Sequence, residues 1–101
     1  SNHIKSRRAL LDAYSRYCDR AEVDLAHDSY SPRRAVLKPA LSLFHGDAGA
    51  GAFKRAIDAL HKDASLSAGG VLRAAAEHVP GAVLDAGPGE RAVVPRVREA
   101  A

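Results

Sequence analysis

The residues able to do chemistry in this chain are few and scattered. Cys18 is the single cysteine, and the five histidines (His3, His27, His45, His61, His78) stand far apart. A zinc site draws three or four ligands to one point, usually from short spacings. Asp58 and His61 lie three residues apart on a helical segment, but nothing nearby completes a ligand set. No metal is expected. Cys18 falls on the apolar side of its segment, which suits a small buried hydrophobe better than a nucleophile. A lone cysteine also excludes an intrachain disulfide and suits a reducing compartment. No pair of carboxylates sits in an apolar setting, so no catalytic residue is assigned.

The stretch Gly46 to Gly51, GDAGAG, has glycine spacing loosely like that of a phosphate loop. A P-loop needs a preceding strand and a following Gly-Lys-Ser/Thr, and a dinucleotide fingerprint needs a βαβ unit. Here an apolar helical run precedes the glycines, so the stretch reads as a tight corner between helices, and no cofactor-binding residue is assigned. Amide groups at the start of the following helix could still face a phosphate.

The basic residues say more. On a helical wheel Arg34, Lys38 and His45 share a stripe beside the apolar face of Val36, Leu37, Ala40, Leu41 and Phe44. Lys54, Arg55 and Lys62 follow on the outer side of the next helix. Two basic patches thus flank one corner, diluted by Asp47 and Asp58. The formal charge of +3 and sequence pI of about 9.4 are compatible with a polyanionic partner without identifying one. Phe44 and Phe53 read as buried. Any nucleic-acid contact would therefore go to phosphates and overall shape, not to stacked bases.

The elements that position these residues read as helices. Ala and Leu abound and β-branched residues are few. Residues 4 to about 25 predict a first helix, with Leu10, Tyr14, Tyr17, Ala21 and Leu25 at helical spacing and Leu11 and Cys18 widening the face. Lys5, Arg7, Arg8, Asp12, Arg16, Asp19 and Arg20 fall mostly on the other side, with Asp12 and Arg16 as an i,i+4 pair. His27 to Tyr30 is a polar connection. Ser31 can cap a second helix and Pro32 suits its first turn. Pro39 interrupts that helix and predicts a kink near Ala35, and Gly46 ends it at positive φ. A third helix runs to about Lys62 with Phe53, Ala56, Ile57 and Leu60 inward. Ser65 or Ser67 caps a fourth, striped by Ala68, Val71, Leu72, Ala75 and Val79, which Pro80-Gly81 stops. Ala82 to Ala86 is a short apolar piece that packs back on the rest.

The expected fold is all-α: a compact bundle of about four helices with a short C-terminal extension. Residues 1–86 form the helical domain and 87–101, rich in Pro, Gly and charge, a flexible tail or linker. At 101 residues the chain is one domain or a piece of a longer one, and its opening Ser1-Asn2 without Met suits a piece. No run approaches the roughly 20 apolar residues of a membrane span, and no signal core is present. The expected location is intracellular, with no membrane partner.

Four segments carry a family resemblance. They are LLDAYSRYCDR at 10–20; the LFHG that ends VLKPALSLFHG, followed by a Gly-containing loop, an aromatic and a basic pair; the helical run up to Leu60; and VPGAVLDAGP at 79–88. Together they span about residues 8–88 and resemble the C-terminal helical domain of the A-type tRNA-dihydrouridine synthases, the last segment being similar to the close of plant and algal members. Such enzymes are flavoprotein oxidoreductases. A separate N-terminal TIM barrel holds FMN and a catalytic cysteine, and with NADPH they reduce D-loop uridines of tRNA. The resemblance implies the tRNA-binding half, without cofactor or catalytic residue of its own, in a cytoplasmic, plastid or mitochondrial enzyme. Its partners would be tRNA and its own barrel. Carried over by position, Arg34, Lys38, His45, Lys54 and Arg55 would face tRNA. The chain departs from the family pattern at Ala48-Gly49, where Pro-Gly is usual, and at Phe53, where Trp is usual. Two other readings stay open: a helical protein-interaction module without RNA binding, and a self-contained enzyme with a pocket of convergent titratable groups.

Overall fold

The computed structural model describes residues 6–26 and 32–87. Helix α1 spans Arg7–Asp24 and starts where Ser6, in extended conformation, accepts a hydrogen bond on Oγ from the Ala9 amide at 3.1 Å. That cap sets the start at Arg7, three residues later than the expected start at residue 4. The buried stripe of α1 is Leu11, Ser15, Cys18 and Ala21, joined by Arg7. Two expectations for this helix change. Tyr17 is 49% exposed instead of inward, and Arg7 is buried instead of outward. The apolar periodicity is right but the face is rotated, because Gly69 brings a neighbouring helix against Ser15 and Asp19.

Helix α2 spans only Pro32–Leu37, and a 3₁₀ turn, Lys38–Ser42, continues it. The single kinked helix expected here is thus split. Pro39 has no amide to donate into an α-helical ladder, and the tighter turn takes over around it. The expected Ser31 cap and the His27 to Tyr30 connection lie outside the described residues, as do residues 88–101 of the expected tail. Phe44 and Phe53 then meet edge to face, ring centres 4.8 Å apart, both fully buried. They clamp the corner on which the chain turns.

Gly46 and Gly49 hold φ of +82° and +88°, which only glycine adopts without strain. Gly49 is needed for space as well. A Cβ there would lie 2.9 Å from Pro80 Cδ and 3.0 Å from the His78 carbonyl oxygen. The glycine corner is thus closed against the segment before the last helix.

Helix α3, Ala50–Leu60, buries Phe53 and Ile57. Helix α4, Ala68–Ala76, is capped by Ser67, whose Oγ accepts from the Gly70 amide at 3.0 Å. Two more of its free amides are met from α1: Glu22 accepts from Ala68 N at 2.9 Å and Asp19 from Gly69 N at 2.7 Å. Carboxylates at a helix N-terminus also complement its dipole. Helix α5, Gly81–Asp85, buries Val83 and Leu84, and the Arg7 amide donates to the Ala86 carbonyl at 2.9 Å. The apolar end piece does pack back, on the start of α1.

The described residues form one small helical bundle with no strand. Its core joins Leu11 and Cys18 of α1, Val36 and Leu37 of α2, Phe44, Phe53 and Ile57, and Val71, Leu72 and Ala75 of α4. No described helix is long and apolar enough to cross a membrane.

Candidate functional site

Arg34, Lys38, His45, Lys54 and Arg55 are all exposed, while Leu37, Phe44, Phe53 and Ile57 beside them are buried. The expected stripe is divided between two places. Arg34 and Lys38, one turn apart, line a groove of about 410 Å³ between α2 with its 3₁₀ turn and α3. Leu37, Leu41 and Ile57 supply its apolar surface, and Asp58 of α3 and His61 just after that helix also line it. Lys54 stands one helical turn before Asp58 and extends that wall by spacing. His45 lies beyond the 3₁₀ turn, where its amide donates to the Ser42 carbonyl at 3.0 Å. Arg55 folds back along α3, its guanidinium 3.2 Å from where a Cβ on Gly51 would stand. His45 and Arg55 therefore belong to the glycine corner and Arg34 and Lys38 to the groove.

Arg33 holds the groove in shape, a role that its place in the chain does not hint at. Its Nε donates to Glu22 at 2.7 Å, and Nη1 donates to the carbonyls of His61 at 3.2 Å and Asp63 at 2.8 Å. Nη2 donates to the Leu66 carbonyl. One planar fork thereby ties α2 to the end of α3 and to α1. Asp63 in turn accepts from the Ser65 hydroxyl at 2.6 Å and amide at 2.9 Å. These bonds, with Arg33 nearby, hold its carboxyl below the usual range.

Most of the partnered cations lie on α1 and α4. Arg7 pairs with Asp47 at 3.3 Å, both nearly buried, and its Nη1 donates to the Val83 carbonyl at 3.3 Å. Arg8 pairs with Asp85, Arg16 with Asp12, and Arg73 with Asp12 and Asp19. Among the described residues the cations outside any ion pair are Arg20, Arg34, Lys38, Lys54, Arg55 and Lys62. All but Arg20 lie on, or just beyond, the α2–α3 side. From residue 32 to 60 Asp58 is the one carboxylate outside an ion pair. A second groove, about 260 Å³ between α1, α4 and α5, is lined by Arg8, Asp12, Arg73 and Glu77 and is close to charge-balanced.

Cys18 is fully buried and its Sγ lies 3.5 Å from the Val36 carbonyl, to which the Tyr14 hydroxyl also donates at 2.7 Å. Burial pushes the thiol up to about 11 and the phenol up to about 12. Both are packing groups. Among the described residues no group of three or more His, Cys, Asp and Glu is placed to hold a metal ion.

The missed members of this arrangement are Arg33, Glu22, Asp19 and Arg7, whose partners lie far off in sequence. The Ser6 cap had a local signal, a serine directly before the helical pattern. Comparison with protein-family models, with curated proteins and with solved structures found no match to this chain.

Proposed function

We propose that this chain is the tRNA-gripping helical domain of an A-type tRNA-dihydrouridine synthase. The observation that supports this reading is the segregation of charge. Cations outside ion pairs gather on the α2–α3 side, where Asp58 is the one carboxylate outside an ion pair between residues 32 and 60, while α1 and α4 hold most of their cations in ion pairs. A face with solvated cations and few anions releases counterions when phosphates replace them. The buried Phe44–Phe53 pair fixes the angle of the corner, and Arg34, Lys38, His45, Lys54 and Arg55 meet the RNA backbone.

In the parent enzyme FMN, reduced by NADPH, would supply hydride to a D-loop uridine. The flavin and the catalytic cysteine belong to its barrel. Gly49 of the glycine corner is packed against Pro80 and is closed to a cofactor phosphate. The target uridine must leave its stack for reduction at C5–C6, which separates gripping the tRNA from the chemistry.

The rival reading, a protein-interaction module, calls for a contiguous exposed apolar patch. Among the described residues the exposed large hydrophobics are Tyr17 and Val23. Six residues apart on α1, they point about 120° away from each other.

The test is binding of unmodified tRNA as a function of salt. Changing Lys38, Lys54 and Arg55 together to Ala should weaken binding and reduce the slope of log K on log salt by about one unit per lost phosphate contact. All three are exposed, so the fold should survive. An unchanged slope removes these residues from the interface.

A further inference from the structure

The groove between α2 and α3 has two unlike walls. Arg34 and Lys38 on one side are cations; Asp58 and His61 on the other offer acceptors. The imidazole of His61 is oriented by its own helix: Nδ1 lies 2.9 Å from the Asp58 carbonyl oxygen. A carbonyl oxygen only accepts, so Nδ1 carries the proton, and in the neutral ring Nε2 is left as an acceptor. The Asp58 carboxylate adds two more acceptor atoms. Between the walls run Leu37, Leu41 and Ile57. The occupant that matches has an anionic end, a flat body and a hydrogen-bond donor edge opposite the anion.

Resting on the RNA-binding reading above, we infer that this groove seats one unstacked guanosine of the bound RNA, its phosphate on Arg34 and Lys38 and its base edge on Asp58. Guanine is the base whose Watson–Crick edge presents two adjacent donors, N1–H and the N2 amino group, to the paired oxygens of a carboxylate. Uracil offers one N–H between two carbonyls, and those carbonyls would face the Asp58 charge. The volume of about 410 Å³ lies within the range of pockets that enclose small ligands. The groove is also braced. Arg33 donates to the His61 carbonyl at 3.2 Å and holds α2 to the end of α3. Asp58, otherwise a defect in a phosphate-binding surface, thereby selects one base among phosphates held without regard to sequence.

The experiment is fluorescence anisotropy at fixed low salt with two labelled probes, a uridine hexamer and the same hexamer carrying one central guanosine. The chain should bind the guanosine probe about tenfold more tightly, the discrimination expected of one bidentate base contact. Asp58→Asn replaces the carboxylate by an amide of the same shape at an exposed position. The variant should lose that preference, because the guanosine probe weakens while the uridine probe, relieved of the anion, does not. Pure phosphate attraction gives the opposite sign, because removing an anion beside Arg34 and Lys38 tightens both probes. Equal affinity for the two hexamers, or tighter binding of both by the variant, overturns the guanosine site. If unmodified tRNA still binds with its salt slope intact in that case, the grip on the RNA backbone stands; if tRNA fails as well, both readings fall.

Discussion

Arg33 and Arg34 are neighbours in sequence with opposite roles. Arg33 commits its guanidinium to Glu22 and to the carbonyls of His61, Asp63 and Leu66. Arg34 is exposed and outside any ion pair among the described residues. A charge pattern in one dimension cannot separate the two, because Arg33's partners come from 11 to 33 residues away. Arg7 was illegible for the same reason, its acceptors lying at Asp47 and Val83. Cys18 was legible, since its apolar neighbours recur on its own helix. Its burial, with that of Tyr14, gives a pH dependence of known sign. Both groups are neutral acids whose folded values are raised, from 9.0 to about 11 for the thiol and from 10.0 to about 12 for the phenol. Their contribution is complete below pH 9. Above it the unfolded chain loses protons that the folded chain keeps, so stability falls as pH rises from about 9 toward 12. Urea midpoints measured from pH 8 to 11.5 should show this decline. Cys18→Ser, which has no group titrating in that range, should flatten its first part, between pH 9 and 11. An identical decline in the variant would mean that Cys18 does not contribute.

At the scale of elements, the helical class and the core stripes of α3 and α4 follow from spacing alone, down to Val71, Leu72 and Ala75. The break in the second helix was signalled by Pro39, but its form was not: a 3₁₀ turn replaced a kink. The start of α4 shows why local rules run short. Gly69 and Gly70 look like weak helix formers at a weak first turn. In the fold Gly69 lets α4 touch α1, where an added Cβ would stand 2.4 Å from the Ser15 carbonyl oxygen and 2.7 Å from both Asp19 carboxylate oxygens. The Ser15 oxygen is backbone and cannot swing away. Helix propensity favours Ala over Gly by about 1 kcal/mol. Forced overpacking costs about 1–3 kcal/mol and here also disturbs the carboxylate that caps Gly69. Gly69→Ala should therefore destabilise the chain by roughly 1–3 kcal/mol in chemical denaturation. The control is Gly51→Ala in α3, where the nearest atom is the mobile end of Arg55 at 3.2 Å. That variant should be neutral or more stable by up to about 1 kcal/mol. Equal effects of the two substitutions would contradict the close α1–α4 approach.

Across the molecule, side-chain pairing sorts the charges. Neither the net charge nor the pI reveals that most of the arginines of α1 and α4 face carboxylates while the α2–α3 side, Arg33 apart, keeps its cations outside ion pairs. The sequence did indicate which side that is, through the stripe of Arg34, Lys38 and His45 and the pair Lys54 and Arg55. It could not show that a groove divides the set, since the groove depends on how α2, the 3₁₀ turn and α3 pack. If solvated cations define the working face, the response to RNA must be one-sided. The direct measurement is an amide NMR titration of the isotope-labelled chain with unmodified tRNA. Shifts and broadening should concentrate on residues 34–38, 45–46 and 51–58, leaving Tyr17 and Val23 of α1 and Glu77 after α4 unchanged beyond uniform line broadening. Perturbations centred on α1 or α4 with the α2–α3 side silent, or none at all on adding tRNA, would contradict the assignment of this face to RNA.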